Sequence, residues 1–386
     1  MHSLPLHDPE TYEQVRASAA RFAEDAIRPV VDELDRQQRF PEEIYREMAE
    51  LGLFGITLPA EDGGAGLDAF AYAVVMEELA RGYASIADQC GLVELITTLL
   101  HRHGTAEQKA RYLTNVLSME AKVAYCITEA EAGSDVAGIK TSARKVDGGW
   151  RLNGGKLWIH NAPVADLGAV LVRTGPDAGH RGLSIFLVNL DADGIARGPK
   201  EDKMGQRASQ VGGLSFDDVF LPDDALLGEV GRGFYMMMSL LEKGRVGIAA
   251  LAVGIAQAGL EAALGYAQER KQFGRPIVDN QGVQWLLADM AVDVEAARAL
   301  THRAALLIDN DRPANAACSM AKCFASDIAV TRTADAVQIF GGSGYIQGFE
   351  VERLYRDAKI TQIYEGTNQI QRTIIARELI KNGARS

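Results

Sequence analysis

The stretch Ile363-Tyr364-Glu365-Gly366-Thr367-Asn368-Gln369-Ile370-Gln371 carries the strongest chemical signal in this 386-residue chain. One carboxylate stands between a tyrosine and a glycine, and a run of hydroxyl and amide side chains follows. Glycine after Glu365 permits a tight turn or a close approach of backbone to a ligand. Thr367 is a predicted N-cap for a helix marked by Ile370, Ile374, Ile375, Leu379 and Ile380 at spacings near 3.6. Glu365 then stands just ahead of a helix N-terminus, where free N–H groups and the helix dipole favour the polar atoms of a ligand. An ordinary acidic loop before an amphipathic helix has the same composition, so this peptide alone leaves both readings open.

Other stretches carry chemistry of their own. Thr128 and Ser134 bracket a glycine-containing turn after a strand, a geometry that presents N–H groups and hydroxyls. Arg270, near a helix end, suits bidentate bonding to phosphate or an ion pair. Glu242 and Arg245 are three apart and share one helix face. Gly342-Ser343-Gly344-Tyr345-Ile346-Gln347-Gly348 follows a helix instead of a strand and has the wrong spacing for a dinucleotide fingerprint. His101 and His103 have no partners in a metal-binding pattern, and no metal site is predicted.

Five stretches, in order and spacing, resemble the signatures of the acyl-CoA dehydrogenases: Thr128-Glu129-Ala130-Glu131-Ala132-Gly133-Ser134-Asp135, Trp158-Ile159-His160-Asn161, Glu269-Arg270-Lys271-Gln272-Phe273-Gly274, Gln338-Ile339-Phe340-Gly341-Gly342, and the Glu365 peptide. The resemblance covers nearly the whole chain. It implies an FAD enzyme that removes hydrogen from Cα and Cβ of an acyl thioester, with Glu365 as the general base. Tyr125, Ile127, Thr128, Gly133 and Ser134 are then expected to hold the flavin ring, with Trp158, Ile159 and His160 beside it. Arg270, Gln272, Phe273 and Gln281 fall to the pyrophosphate and adenosine. Gln338, Gly341 and Gly342 reach a flavin bound mainly by a neighbouring subunit, with Arg270 and Gln338 serving one flavin from different subunits. Thr367 and Gln369 complete the cofactor contacts. For the substrate the resemblance implies Ser134, Glu242, Arg245, Tyr364 and Gly366, and it puts Glu94, a lone carboxylate in an apolar run, at the blind end of the acyl pocket or on a solvent-facing helix side. The implied partners are an acyl-CoA or an acyl carrier protein as substrate, an electron-transferring flavoprotein as electron acceptor, and further copies of the chain in a homotetramer.

Three positions depart from the family pattern. Ala130-Glu131 stands where Pro-Gly is usual, adding a charge. His160 stands where a threonine or serine normally bonds the flavin. Some members carry the base just before the helix arginine, a position held here by Gly244, so the resemblance leaves Glu365 as the base. An oxidase or monooxygenase on the same scaffold and a non-catalytic flavin-binding protein are the rival readings.

These residues need a scaffold. With 47% hydrophobic and 24% charged residues, the composition is that of an ordinary globular chain. The net charge of −12 argues against nucleic acid. Cys90, Cys126, Cys318 and Cys323 lack a C-x-x-C pattern, pointing to free thiols in a reducing compartment, and Met1–Asp8 lacks the pattern of a secretory leader, so a cytoplasmic protein is expected. Val246–Leu264 is the most apolar stretch, but glycines and polar residues interrupt it and it reads as a buried helix, not a membrane span. The fold class expected is α+β, in three domains. Residues 1–120 are helical, with Pro41 at a helix start and a Thr105–Gln108 capping box. Residues 121–228 form a β-barrel or sandwich, with a hairpin turning at Asp147-Gly148-Gly149. Residues 229–386 form a four-helix bundle from helices near 233–270, 279–309, 313–341 and 367–381.

Overall fold

The computed structural model describes residues 6–175 and 179–383. Met1–Pro5, part of the stretch read as lacking a leader, lie outside the described residues. The first layer is helical: α1 (Pro9–Phe22), α2 (Val31–Gln37), α3 (Glu42–Glu50), α4 (Ala69–Gly82), α5 (Ala84–His103) and α6 (Ala106–Leu117). Local sequence sets the helix starts. Asp8 and Asp68 cap α1 and α4, each accepting a backbone N–H from three residues ahead. Thr105 and Gln108 make both bonds of the expected capping box on α6. Pro41 precedes the first helical residue of α3 instead of occupying it, one position off the expectation.

The middle of the chain is a single mixed sheet of eight strands: β1 (Val123–Cys126), β2 (Ser142–Val146), β3 (Gly149–His160), β4 (Leu167–Arg173), β5 (Leu183–Asn189), β6 (Ile195–Arg197), β7 (Val211–Pro222) and β8 (Leu226–Leu227). The path runs β6-β7-β3-β2-β4-β5-β8, with β1 laid parallel on β4. The hairpin β2–β3 turns at Asp147-Gly148, where Gly148 takes a φ of +71°. Trp150 meets Phe186 edge-on inside the sheet's own apolar core. Twice, β3 slips register against β7, and the second slip spans Leu157 and Trp158. Such bulges bend a strand and re-aim a side chain. Trp158 adopts a φ of +54° there and is 61% exposed, so it is not a core tryptophan.

Five helices complete the chain: α7 (Gly233–Glu269), α8 (Gln281–Asp309), α9 (Asn315–Phe340), α10 (Glu350–Ile360) and α11 (Asn368–Asn382). The sequence reading foresaw four and missed α10. Among the described residues α7 is the one helix long and apolar enough to cross a membrane, yet 78% of its most apolar window is buried inside the fold. Small residues let it pack closely. A side chain at Gly254 would stand 2.2 Å from the Glu77 carbonyl on α4. Helix α7 thus touches both the N-terminal layer and the bundle, and the residues that matter below sit along its first third.

Candidate active site

The loop between α10 and α11 holds Glu365 in a left-handed conformation, φ +53°, followed by Gly366 at φ +91°. A non-glycine residue there carries strain, which the surroundings must hold. They do so from two sides. The buried Gln371 amide donates to the carbonyls of Glu365 at 3.1 Å and Gly366 at 3.0 Å. From α9, Lys322 Nζ donates to the Gly366 carbonyl at 2.8 Å and to Asn368 Oδ1 at 3.0 Å. Thr367 caps α11 by accepting the Ile370 N–H, as the spacing predicts. The Glu365 N–H donates to no backbone carbonyl among the described residues, so it is available to a ligand.

This turn directs the Glu365 carboxylate at α7. An atom at the Cβ position of Gly244 would lie 2.8 Å from Glu365 Oε2 and 3.6 Å from Leu95 Cδ2. Oε2 is buried and without a partner. Burial pushes the Glu365 carboxyl up to about 7; Arg245 and Lys322 pull it down, and Asp88 pushes it further up. A carboxyl group with these properties can take up or give a proton near neutral pH.

Arg245 is buried, donating to Asn315 Oδ1 at 2.7 Å. Glu242 and Asn315 line a cavity of 660 Å³ whose rim includes Arg303, Arg312 and Lys381. Tyr364 is anchored by Gln206, whose amide donates to its hydroxyl at 3.2 Å. Glu94 is buried, not solvent-facing, and it is not a lone carboxylate. Lys243 Nζ lies 2.9 Å from its Oε1, Thr57 donates to the same oxygen through its N–H at 3.2 Å and through its hydroxyl, and Lys243 also donates to the Thr98 hydroxyl at 2.6 Å. The sequence holds no signal for this pair, whose members are 149 residues apart.

On the sheet side, the Leu157 N–H donates to the Thr128 carbonyl at 2.9 Å, which joins the Thr128–Ser134 turn to the Trp158 bulge. The unusual Glu131 pairs with Lys140 at the surface, so its charge is met locally. His160 Nδ1 sits 3.1 Å from Asp88 Oδ2, while its Nε2 and the Tyr125 hydroxyl are buried without partners. Burial pulls the His160 imidazole down, against the pull of Asp88. An exposed indole beside orphaned polar atoms suits a planar ring with a hydrogen-bonding edge. The residues present fit a flavin.

Arg270, Gln272, Phe273 and Gln281 do not join this cluster. They lie at the far end of α7 and the start of α8, where Phe273 is 99% exposed. Arg270 stands 26 positions beyond Gly244, about 39 Å along a helix rising about 1.5 Å per residue. Gln338, Gly341 and Gly342 end α9 at the same place, because Tyr266 stacks on Phe340 at 4.1 Å. The ends of α7 and α9 that carry Arg270 and Gln338 thus meet within one chain. No group of three metal-ligating side chains is gathered among the described residues.

Fold and site together define a three-layer flavoprotein dehydrogenase: a helical layer, a mixed sheet and a helical bundle around a buried carboxylate. The family's N-terminal, middle and C-terminal domain profiles match residues 9–120, 124–219 and 231–380, and the chain belongs to the acyl-CoA dehydrogenase family. It is 42% identical over 379 residues to the short-chain specific acyl-CoA dehydrogenase, mitochondrial, of Bos taurus, covering 97% of this chain and 91% of that one. Among solved structures it superimposes on butyryl-CoA dehydrogenase from Megasphaera elsdenii with a TM-score of 0.94 at 37% identity, covering 98% and 100% of the two chains. It superimposes with a TM-score of 0.95, at 40% identity and the same coverage, on a chain described with the electron transferring flavoprotein of Acidaminococcus fermentans. The protein is an FAD-dependent oxidoreductase; FAD complexes are among the solved chains of this fold.

Proposed function

We propose that this enzyme converts a short acyl-CoA to its trans-2-enoyl thioester, with Glu365 taking the proton from Cα. The observation that carries this reading is the buried, partnerless Glu365 oxygen, held on a clamped turn and facing the gap at Gly244. Bound FAD supplies the hydride acceptor for Cβ. The chain's own residues do the rest. The Glu365 N–H is free to donate to the thioester carbonyl, where negative charge grows as the proton leaves. Arg245 and Lys322 lower the cost of charging Glu365 in a dry pocket. Thr128, Ser134, Trp158 and His160 would hold the flavin ring. Arg303, Arg312 and Lys381 give the 660 Å³ cavity a cationic rim suited to the phosphates of CoA. The test is anaerobic mixing of the FAD-loaded protein with a panel of straight, branched and cyclic acyl-CoAs: the flavin bleaches and an enoyl-CoA appears with short chains, and no bleaching with any acyl-CoA ends the reading.

The working form is a homo-oligomer, as a tetramer. Arg270, at the far end of α7, and Gln338, at the end of α9 that packs there, lie too far off to touch a dinucleotide at their own Glu365, so a second copy brings them. The exposed Phe273, Trp285, Val292, Tyr345 and Ile346 give that copy an apolar surface to cover. Light scattering of the yellow protein is expected to return four chains and one FAD per chain; a monomer that retains FAD refutes it. The electron acceptor is an electron-transferring flavoprotein, in line with the neighbour from Acidaminococcus fermentans. The buried free cysteines accord with a cytoplasmic setting.

The Glu94–Lys243 pair is the floor of the acyl pocket, because the next residues on each helix, Leu95 and Gly244, approach each other at the point the Glu365 carboxylate faces. Removing one charge alone leaves the other buried and uncompensated, at about 3–5 kcal/mol. The clean variant therefore removes both: Glu94→Ala with Lys243→Ala should raise the hexanoyl-CoA to butyryl-CoA ratio of kcat/KM by about tenfold or more, the scale of one or two methylenes in a fitted pocket. An unchanged ratio would place the floor elsewhere.

A further inference from the structure

Lys322 is a fully buried lysine in a run of small residues, Ala321-Lys322-Cys323, and the reaction as proposed assigns it no contact with substrate. Its position is costly in two ways. The ammonium is out of water, and among the described residues no carboxylate lies within ion-pair distance; its acceptors are the neutral Gly366 carbonyl and Asn368 Oδ1. It also stands at the N-terminus of α11, the positive end of that helix's dipole. A neutral amide would satisfy the same two acceptors without either cost. The position therefore makes use of the charge as well as the hydrogen bonds.

The surrounding contacts indicate what the charge acts on. Asn368, the first residue of α11, is fixed by donating to the Cys323 carbonyl at 3.3 Å, Ser326 Oγ at 2.9 Å and Asp327 Oδ1 at 2.8 Å, all on the stretch of α9 that follows Lys322. The strained residue Glu365 precedes the clamped Gly366. Resting on the reading of Glu365 as the base, we propose that Lys322 is a positioning residue: it locks the left-handed turn through the Gly366 carbonyl, aims Glu365 and keeps a positive charge on the base's own turn.

The other groups facing Glu365 are Arg245 on α7, Asp88 on α5 and its partner His160 on β3, with the hydroxyls of Tyr72, Tyr125 and Tyr364 nearby. Lys322 in turn faces Glu365, Cys323, Asp327 and Arg245, and burial lowers its own ammonium to about 8. Of the cations near Glu365, Arg245 is already engaged with Asn315. Lys322 is the one tied to the base's own turn.

The test compares the pH profile of kcat/KM for butyryl-CoA in FAD-loaded wild type, Lys322→Gln, Lys322→Met and Lys322→Arg. Glutamine retains a donor for the turn and so guards against a merely misfolded result. Activity falls as Glu365 takes up a proton, so losing the nearby cation should move the acid limb upward, by about one pH unit in both neutral variants. Methionine, which also loses the clamp, should lower kcat at the alkaline plateau by about tenfold or more with KM little changed. Arginine should keep the limb near its parent position. A limb that stays put in Lys322→Gln and Lys322→Met, with kcat retained, makes Lys322 a packing residue and overturns the proposal. Glu365→Gln in parallel separates the two ideas: if it keeps the parent rate, the base assignment itself fails, and if it is inactive while the Lys322 variants behave as wild type, only the present inference fails.

Discussion

Glu365→Gln should leave a yellow, correctly assembled protein that binds acyl-CoA and reduces its flavin at about 10³–10⁴-fold below the parent rate, the scale of a lost general base. Glutamine keeps the size of the side chain and takes the same left-handed turn. The two clamps on that turn, from Gln371 and Lys322, bond backbone carbonyls and are indifferent to the change. The N–H at position 365 remains, and so do Glu242 and Arg245. No second carboxylate replaces the base, because Glu94 is tied to Lys243 and Asp88 to His160. The same variant has a signature in stability. The Glu365 carboxyl stands at about 7 in the folded protein, above its usual 4.5. The folded state therefore holds this proton more tightly than the unfolded state. Its contribution to stability is complete below about pH 4.5 and is lost as pH rises through about 7, up to about 3 kcal/mol. Glu365→Gln cannot lose it, so its melting temperature relative to wild type should climb between pH 5 and pH 8. A parent rate of anaerobic bleaching in Glu365→Gln, or a difference in melting temperature that is flat with pH, contradicts the assignment.

Local chemistry made much of this legible in advance. Thr367 and Thr105 are caps because a hydroxyl at that offset satisfies an orphaned N–H whatever the tertiary context. The β2–β3 hairpin follows from Asp147-Gly148, and α7 from its long stretch of mainly small and apolar residues. What stayed hidden depends on contacts distant in sequence. Helix α10 escaped notice because its inward face carries Arg353 and Asp357, buried against each other and against the Gln206 N–H, where an apolar pattern would be sought. Lys243 carries no sign of its role in the sequence until α5 brings Glu94 to it. Lys322 did leave a trace, the one charge in the small-residue stretch Asn315–Ser326, but its meaning needs the Gly366 carbonyl, 44 residues away. How far the Arg270 segment stands from Glu365 is likewise set by the length of α7, which the motifs themselves do not show.

The structure makes an exchange of the base between α7 and the loop a sharp expectation. Gly244→Glu alone should be severely impaired, because its Cβ would sit 2.8 Å from Glu365 Oε2 and its carboxylate would share a dry pocket with a like charge. Adding Glu365→Gly removes both faults. The loop tolerates glycine better than glutamate at φ +53°, and relief of that strain is worth about 1 kcal/mol. Helix α7 loses a glycine from its interior, worth about another 0.5–1 kcal/mol where the new side chain fits. The new carboxylate approaches Cα from α7 instead of from the loop, between Arg245 and the Lys243–Glu94 pair. The double variant should therefore recover about tenfold or more over Gly244→Glu in flavin reduction, remain below wild type, and shift its chain-length preference, since the relocated side chain occupies space beside the pocket floor. Rates with butyryl-, hexanoyl- and octanoyl-CoA decide the matter. If the single variant is as active as wild type, residue 244 does not face the base. If the double variant is no better than Gly244→Glu, the turn at Glu365 supplies more than a carboxylate, and its clamped geometry has to be counted among the catalytic requirements.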